Sequence, residues 1–346
     1  MIKIIAFSLL ALISIDTNAQ SEQELFDFNF EGIKLSGILN FPKDAEPKGI
    51  VLIIHGDGKT DAIEGEWWYD VRSSITKAGF ATFMWDKMGC GNSEGTYKNG
   101  RPVENEALEV IEAIKNLKAN KIRGSNKIGL WGISRAGWIN PLVIDRFKKV
   151  DFWISVSGVD EDETFDYLLE QNLRIEGHQQ DTIDLILSEW HNGILFSRGG
   201  ASYEYYLSAT KNLRENEFWK KITNGGVSKE SYYEYQEIYQ EATLDKDSEL
   251  PLYVEHFDRM LSRMEIPVLA LFGETDMTVD WEKTKMLYEN TMTANTDLTI
   301  KIFPNCNHNM WQAKTGAVYE FEDSSWEYIR CDGFLDSITN WLNELK

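Results

Sequence analysis

Three stretches of this 346-residue chain carry side chains that could share one reaction. Leu130–Trp138 reads LWGISRAGW, with Ser134 two residues after Gly132 and followed by Ala136 and Gly137. A serine hydroxyl is a weak nucleophile until a base takes its proton. The usual base is an imidazole, held in place by a carboxylate. The chain has five histidines, His55, His178, His191, His256 and His308, and only His308 lies beyond the last two β-rich runs. It sits in FPNCNH, directly after the run Leu298–Phe303. The acid is expected after the preceding run, Val268–Phe272, which continues into GETD. Asp276 is the first choice there, with Asp280 and then Glu274 as alternatives.

Taken singly, each residue has an ordinary reading. An aspartate after a strand commonly caps a helix, the histidine could sit on a surface loop, and the serine could simply fill a turn. Their order joins them, because serine, acid and histidine each fall at the end of a separate expected strand. Gly49–Ile54 leads into His55-Gly-Asp-Gly58. The backbone N–H groups of Asp57 and Arg135 are the expected donors to an oxyanion. The Asp57 carboxylate is awkward beside such a charge unless it turns away or pairs. His55 is read as bracing this loop. Asp86–Ser93, DKMGCGNS, has glycines suited to a tight turn. Phosphate binding by this loop is rejected, because no Walker pattern is present and the chain is acidic.

The elements that must position these residues alternate. Leu25–Phe30 and Ile33–Phe41 read as an antiparallel pair. Gly49–Ile54 is a continuous apolar run of the kind buried on both faces of a sheet. Ala81–Trp85, Lys127–Ile133, Phe152–Ser157, Val268–Phe272 and Leu298–Phe303 repeat that theme. Val103–Leu117, Trp281–Tyr288 and Phe334–Leu345 are read as helices. The pattern predicts a mainly parallel sheet covered by helices. Pro141 lies far enough along for a helix to begin just after Ser134.

From about Asp160 to Met264 no buried strand is expected. A segment this long far exceeds an ordinary connection, so it is read as a helical cap over the carboxyl edge of the sheet. Tyr232, Tyr235 and Tyr239 share one helical face there and are read as packing rather than as a substrate platform. Asp160–Glu163 is read as a solvated helix start. The expected division is 1–19, 20–159, 160–264 and 265–346.

Composition narrows the partners. A net charge of -21 disfavours nucleic acid and anionic membrane surfaces, which would repel the chain. Lys3, the apolar run Ile4–Ile15 and Thr17-Asn18-Ala19 read as a signal peptide of residues 1–19, removed on export to a periplasmic or secreted location. That apolar run is too short to span a bilayer, so no stable membrane insertion is expected after cleavage. Of the three cysteines, Cys306 and Cys331 could pair after export, the alternative being three free thiols. No zinc spacing is present.

At these residues the sequence resembles the α/β-hydrolase superfamily. HGDG, DKMGCGNS, GISRAG, FGETD and PNCNH occur in that family's order. Within it, GISRAGWINPL and FWISVSG are similar to exported bacterial members of the prolyl-oligopeptidase and dienelactone-hydrolase branch. Ala136 stands where the family's elbow has glycine. The resemblance implies the α/β-hydrolase fold, an eight-stranded, mainly parallel sheet with helices on both faces and an inserted helical cap. It also implies a serine hydrolase with Ser134, Asp276 and His308 as triad and no metal or cofactor. A carboxylic ester is the expected small-molecule substrate. A short peptide cleaved exopeptidase-fashion, acyl transfer to an alcohol, and a non-catalytic binding protein on the same fold are the alternatives.

Overall fold

The computed structural model describes residues 21–345 except 99, 161–164, 247–248, 293–295 and 323–326. The expected signal peptide and Glu161–Glu163 lie outside the described residues.

Two antiparallel strands open the chain, β1 (Ser21–Phe30) and β2 (Ile33–Pro42). Glu31 and Gly32 join them, both with positive φ, as a tight hairpin turn requires. Strands and helices then alternate: β3 (Ile50–Ile54), α1 (Tyr69–Lys77), β4 (Ala81–Trp85), α2 (Val103–Ala119), β5 (Ile128–Ile133), α3 (Ala136–Arg146) and β6 (Phe152–Val156). Between β6 and the next strand come α4 (Phe165–Ile175), α5 (Gln180–Arg198), α6 (Tyr203–Ala209), α7 (Lys211–Glu215), α8 (Glu217–Ile222), α9 (Lys229–Glu241) and α10 (Phe257–Ser262). β7 (Val268–Gly273), α11 (Trp281–Thr291), β8 (Leu298–Phe303) and α12 (Phe334–Glu344) complete the order.

The eight strands form one sheet in the order β1-β2-β4-β3-β5-β6-β7-β8. All pairs from β4 across to β8 are parallel. Successive side chains of a strand point to opposite faces, and the core divides accordingly. Ile50, Leu52 and Ile54 join the cluster under α2, α3 and α11. Val51 and Ile53 join the cluster under α1 and α12. Helices therefore cover both faces, and α1, which was not read from the sequence, covers one of them. Every residue of β3 to β7 is buried. The expectation of a continuously buried strand does not hold for β8, where Lys301 and Ile302 are exposed. Among the described residues its one strand neighbour is β7, so it is an edge strand with a wet face.

The helices between β6 and β7 bury a cluster of their own, including Leu169, Leu173, Ile183, Trp190 and Trp219. The last of them, α10, packs into the main core through Phe257 and Leu261. Among the described residues, no helix is long and apolar enough to cross a membrane.

Candidate active site

Ser134 occupies the turn between β5 and α3 with φ of 56°. A left-handed serine is strained, and such a turn lifts its side chain off the end of the strand. The turn is closed by Gly137 N–H donating to the Ser134 carbonyl at 2.6 Å. Two glycines make it sterically possible. A Cβ on Gly132 would come within 2.6 Å of the Ala136 Cβ. A Cβ on Gly137 would come within 2.8 Å of the Val159 nitrogen. Close backbone approach is thus made by Gly137 rather than by residue 136, and Ala136 fits because Gly132 leaves it room.

Asp276 follows β7 and is fully buried. Its Oδ2 lies 2.8 Å from His308 Nδ1. Its Oδ1 accepts the backbone N–H of Thr278 at 2.8 Å and of Val279 at 3.0 Å. The runner-up acids have other positions. Asp280 caps α11 by accepting the Lys283 N–H at 3.0 Å, and Glu274 is exposed. His308 follows β8, and its loop is ordered by Asn307 Oδ1, which accepts the N–H groups of Asn309 and Trp311. Gly273 admits that loop, since a Cβ there would come within 2.7 Å of the Asn307 carbonyl oxygen. A disulfide between Cys306 and Cys331 ties the same loop to the segment before α12.

The end of β6 brings the serine and the histidine together. Ser134 N–H donates to the Val156 carbonyl at 3.1 Å. The next residue, Ser157, donates its hydroxyl to the His308 carbonyl at 2.7 Å.

The loop His55–Gly58 passes beside the turn, where a Cβ on Gly56 would lie 3.5 Å from that of Ser134. Lys87 holds this loop from behind, donating to the carbonyls of Gly56 at 2.6 Å and Gly58 at 2.8 Å. Burial lowers the Lys87 pKa, while Glu106 and Asp57 oppose the shift. The exposed Asp57 carboxylate therefore lies within electrostatic reach of Lys87, and of Arg135 as well. Arg135 directs its guanidinium to Glu106 at 2.8 Å and to the Arg101 carbonyl. His55 is buried edge-on against Trp85, with ring centroids 5.5 Å apart. Burial lowers its pKa well below the usual value, and Lys87 adds to the effect. The DKMGCGNS turn is structural: buried Asp86 accepts the N–H groups of Ala62, Ile63 and Asn92.

Ser134, Asp57 and Arg135 open into a cavity of about 620 Å³ under the helices that follow β6. Tyr232, Tyr235 and Tyr239 all line it, while Tyr232 also packs on Tyr206 and Tyr239 packs against the cluster under α4 and α5. Of the three, Tyr232 is buried and the other two are partly exposed.

Comparison with known proteins bears on this arrangement. The chain is similar to the dienelactone hydrolase family over residues 255–341, the part that holds Asp276 and His308. Est1E from Butyrivibrio proteoclasticus, in a structure with ferulic acid bound, superposes with a TM-score of 0.52 at 16% identity, over 92% of this chain and 96% of that one. The esterase Pf2001 of Pyrococcus furiosus gives 0.53 at 14% identity, over 94% and 93%. This chain has the α/β-hydrolase fold. The acylaminoacyl peptidase of Pyrococcus horikoshii shares that fold at a TM-score of 0.50 and 13% identity, over 84% of this chain and 38% of that one. A comparison with curated proteins gives no match.

On this α/β-hydrolase fold, several supporting residues went unread in the sequence. Lys87 was seen only as part of a turn motif. Tyr167 on α4 donates to the Asp276 carbonyl at 3.1 Å. Asn172 on the same helix donates to the Met277 carbonyl at 2.9 Å. Arg330 lies 3.6 Å over the Trp311 ring and donates to the Asn309 carbonyl. No local spacing announces any of these, since their partners are distant in the chain.

Proposed function

We propose that the protein is a serine hydrolase that cleaves carboxylic esters through an acyl-enzyme on Ser134. The buried Asp276–His308 pair at 2.8 Å, hung from the same strand end as the left-handed Ser134, is the observation that carries this reading. His308 takes the hydroxyl proton as Ser134 attacks the ester carbonyl. Asp276 fixes the imidazole with Nδ1–H donating to it, and stabilises the cation that forms. The N–H groups of Asp57 and Arg135 receive the oxyanion, the latter at the start of α3 where the helix dipole adds to the field. His308 then protonates the departing alcohol, and a water activated by the same imidazole releases the acid.

The seven-helix segment acts as a cap over this chemistry, and the Cys306–Cys331 disulfide supports an exported location. Fluorophosphonate labelling tests the reading. The wild type is expected to label, and Ser134→Ala and His308→Ala to lose the label. A folded wild type that does not label would leave a binding protein on this fold. Transfer of the acyl group to an added alcohol, seen as a new ester, would instead show an acyltransferase.

A further inference from the structure

We infer that the cavity above Ser134 selects an uncharged ester carrying a planar aromatic group, and that aromatic faces of the cap hold that group. The inference deepens the proposed hydrolase reading and rests on it for the word ester. A hollow of about 620 Å³ has the size of a site for a whole small molecule. A short acyl group would leave most of it empty. Nine of its lining residues are aromatic, contributed by the core, by α4 and by the later cap helices. On α9, the rings of Tyr235 and Tyr239 stack with centroids 6.1 Å apart and planes 19° from parallel, and both border the cavity. At the floor, Trp138 and Tyr253 stack at 4.1 Å with planes 20° apart. Such faces favour a flat π-system in offset or edge contact over a bulky aliphatic group.

Charge is distributed in the opposite way. Among the described residues that line the cavity, Asp57 and Arg135 are the charged ones, and both lie at the Ser134 end. The guanidinium of Arg135 is already taken by Glu106. Among the described residues, the far end of the lining offers Ser, Thr, Asn and Tyr side chains but no ionic partner for an ammonium or carboxylate. A charged chain terminus entering there would lose its water without a compensating partner. An aminopeptidase or carboxypeptidase substrate is therefore disfavoured.

The test measures binding rather than turnover, using the full chain with Ser134→Ala and following tryptophan fluorescence. The probes are methyl 3-(2-naphthyl)propanoate, the methyl ester of 2-naphthylalanine in its ammonium form, and methyl 3-cyclohexylpropanoate. The neutral naphthyl ester is expected to bind at least tenfold more tightly than either of the others. The pair Tyr235→Leu and Tyr239→Leu, both at partly exposed positions, is expected to weaken it about tenfold. Equal or tighter binding of the ammonium ester, equal binding of the cyclohexyl ester, or no effect of the tyrosine changes would overturn the inference. Because the binding protein lacks the serine, this outcome is separate from that of the labelling experiment. Tight naphthyl binding alongside an unlabelled wild type would sink the hydrolase reading while leaving the ligand class standing.

Discussion

At the scale of single residues, the partly buried Lys87 props a loop that passes beside Ser134. Its ammonium holds two carbonyls of the His55–Gly58 loop, which fixes the direction in which the loop presents its N–H groups. Losing one oxyanion donor commonly costs 10²–10³ in rate, and loosening the loop should cost less. Lys87→Met is expected to lower kcat/KM about 10- to 100-fold in a steady-state ester assay. Burial lowers the Lys87 pKa, so the cation is lost on the alkaline side before free lysine would lose it. Wild-type activity should therefore decline as pH rises through that folded-state value, and the Met variant should lack this limb. His55 titrates at the other end of the scale. Its folded-state pKa lies below the unfolded value of about 6.5. The unfolded chain then binds more protons, so stability is fully present above about pH 6.5 and falls as pH drops toward the folded value. The slope from this one group is at most about 1.4 kcal/mol per pH unit. Urea midpoints across this range should show His55→Asn with a shallower acid slope than the wild type.

At the scale of elements, the packing of α3 against the end of β6 decides where glycine is needed. The helix meets the Val159 backbone at Gly137, and Ala136 faces the gap left by Gly132. Gly137→Ala should destabilise by about 1–3 kcal/mol through overpacking and displace Ser134. Ala136→Gly should cost no more than about 1 kcal/mol, from lost helix propensity. Thermal unfolding of the two variants, with the Ser134 label as a second readout, separates them. Equal losses would show that the crowding is misassigned. The first helix after β6, α4, belongs to the same level of organisation. Tyr167 and Asn172 tie it to the loop bearing Asp276, so one wall of the cavity and Asp276 are positioned together.

At the scale of the whole molecule, the chain keeps Ser134, Asp276 and His308 just past strand ends and its rigidity in the sheet. The loop carrying His308 follows the edge strand β8, and it is tied down at several points. The Cys306–Cys331 disulfide spans 25 residues, and Arg330 adds its contacts to Trp311 and Asn309. Closing a loop of that length stabilises by about 2–4 kcal/mol. Reduction with dithiothreitol, or Cys331→Ser, should lower the urea midpoint accordingly and reduce turnover as the histidine loop loosens. Unchanged turnover at a lowered midpoint would show that the other ties suffice to hold His308.

Much of this was legible in the chain itself. Short apolar runs set the buried strands β3 to β7, because a strand covered by helices on both faces has no polar side to alternate. Their order, with Ser134, Asp276 and His308 each just past a strand end, was readable because parallel strands align those ends on one edge. Local pattern could not choose between Asp276 and Asp280, which lie four residues apart after one strand. Only the tertiary structure gives the first carboxylate to His308 and the second to a helix N-terminus. Nor could it show that β8 is an edge, that Gly137 rather than residue 136 makes the close approach, that Tyr235 and Tyr239 face a hollow, or that Lys87 props a loop about 30 residues before it. Those outcomes depend on contacts between segments far apart in the chain. Periodicity reports which face of an element is apolar, and only packing decides what that face meets.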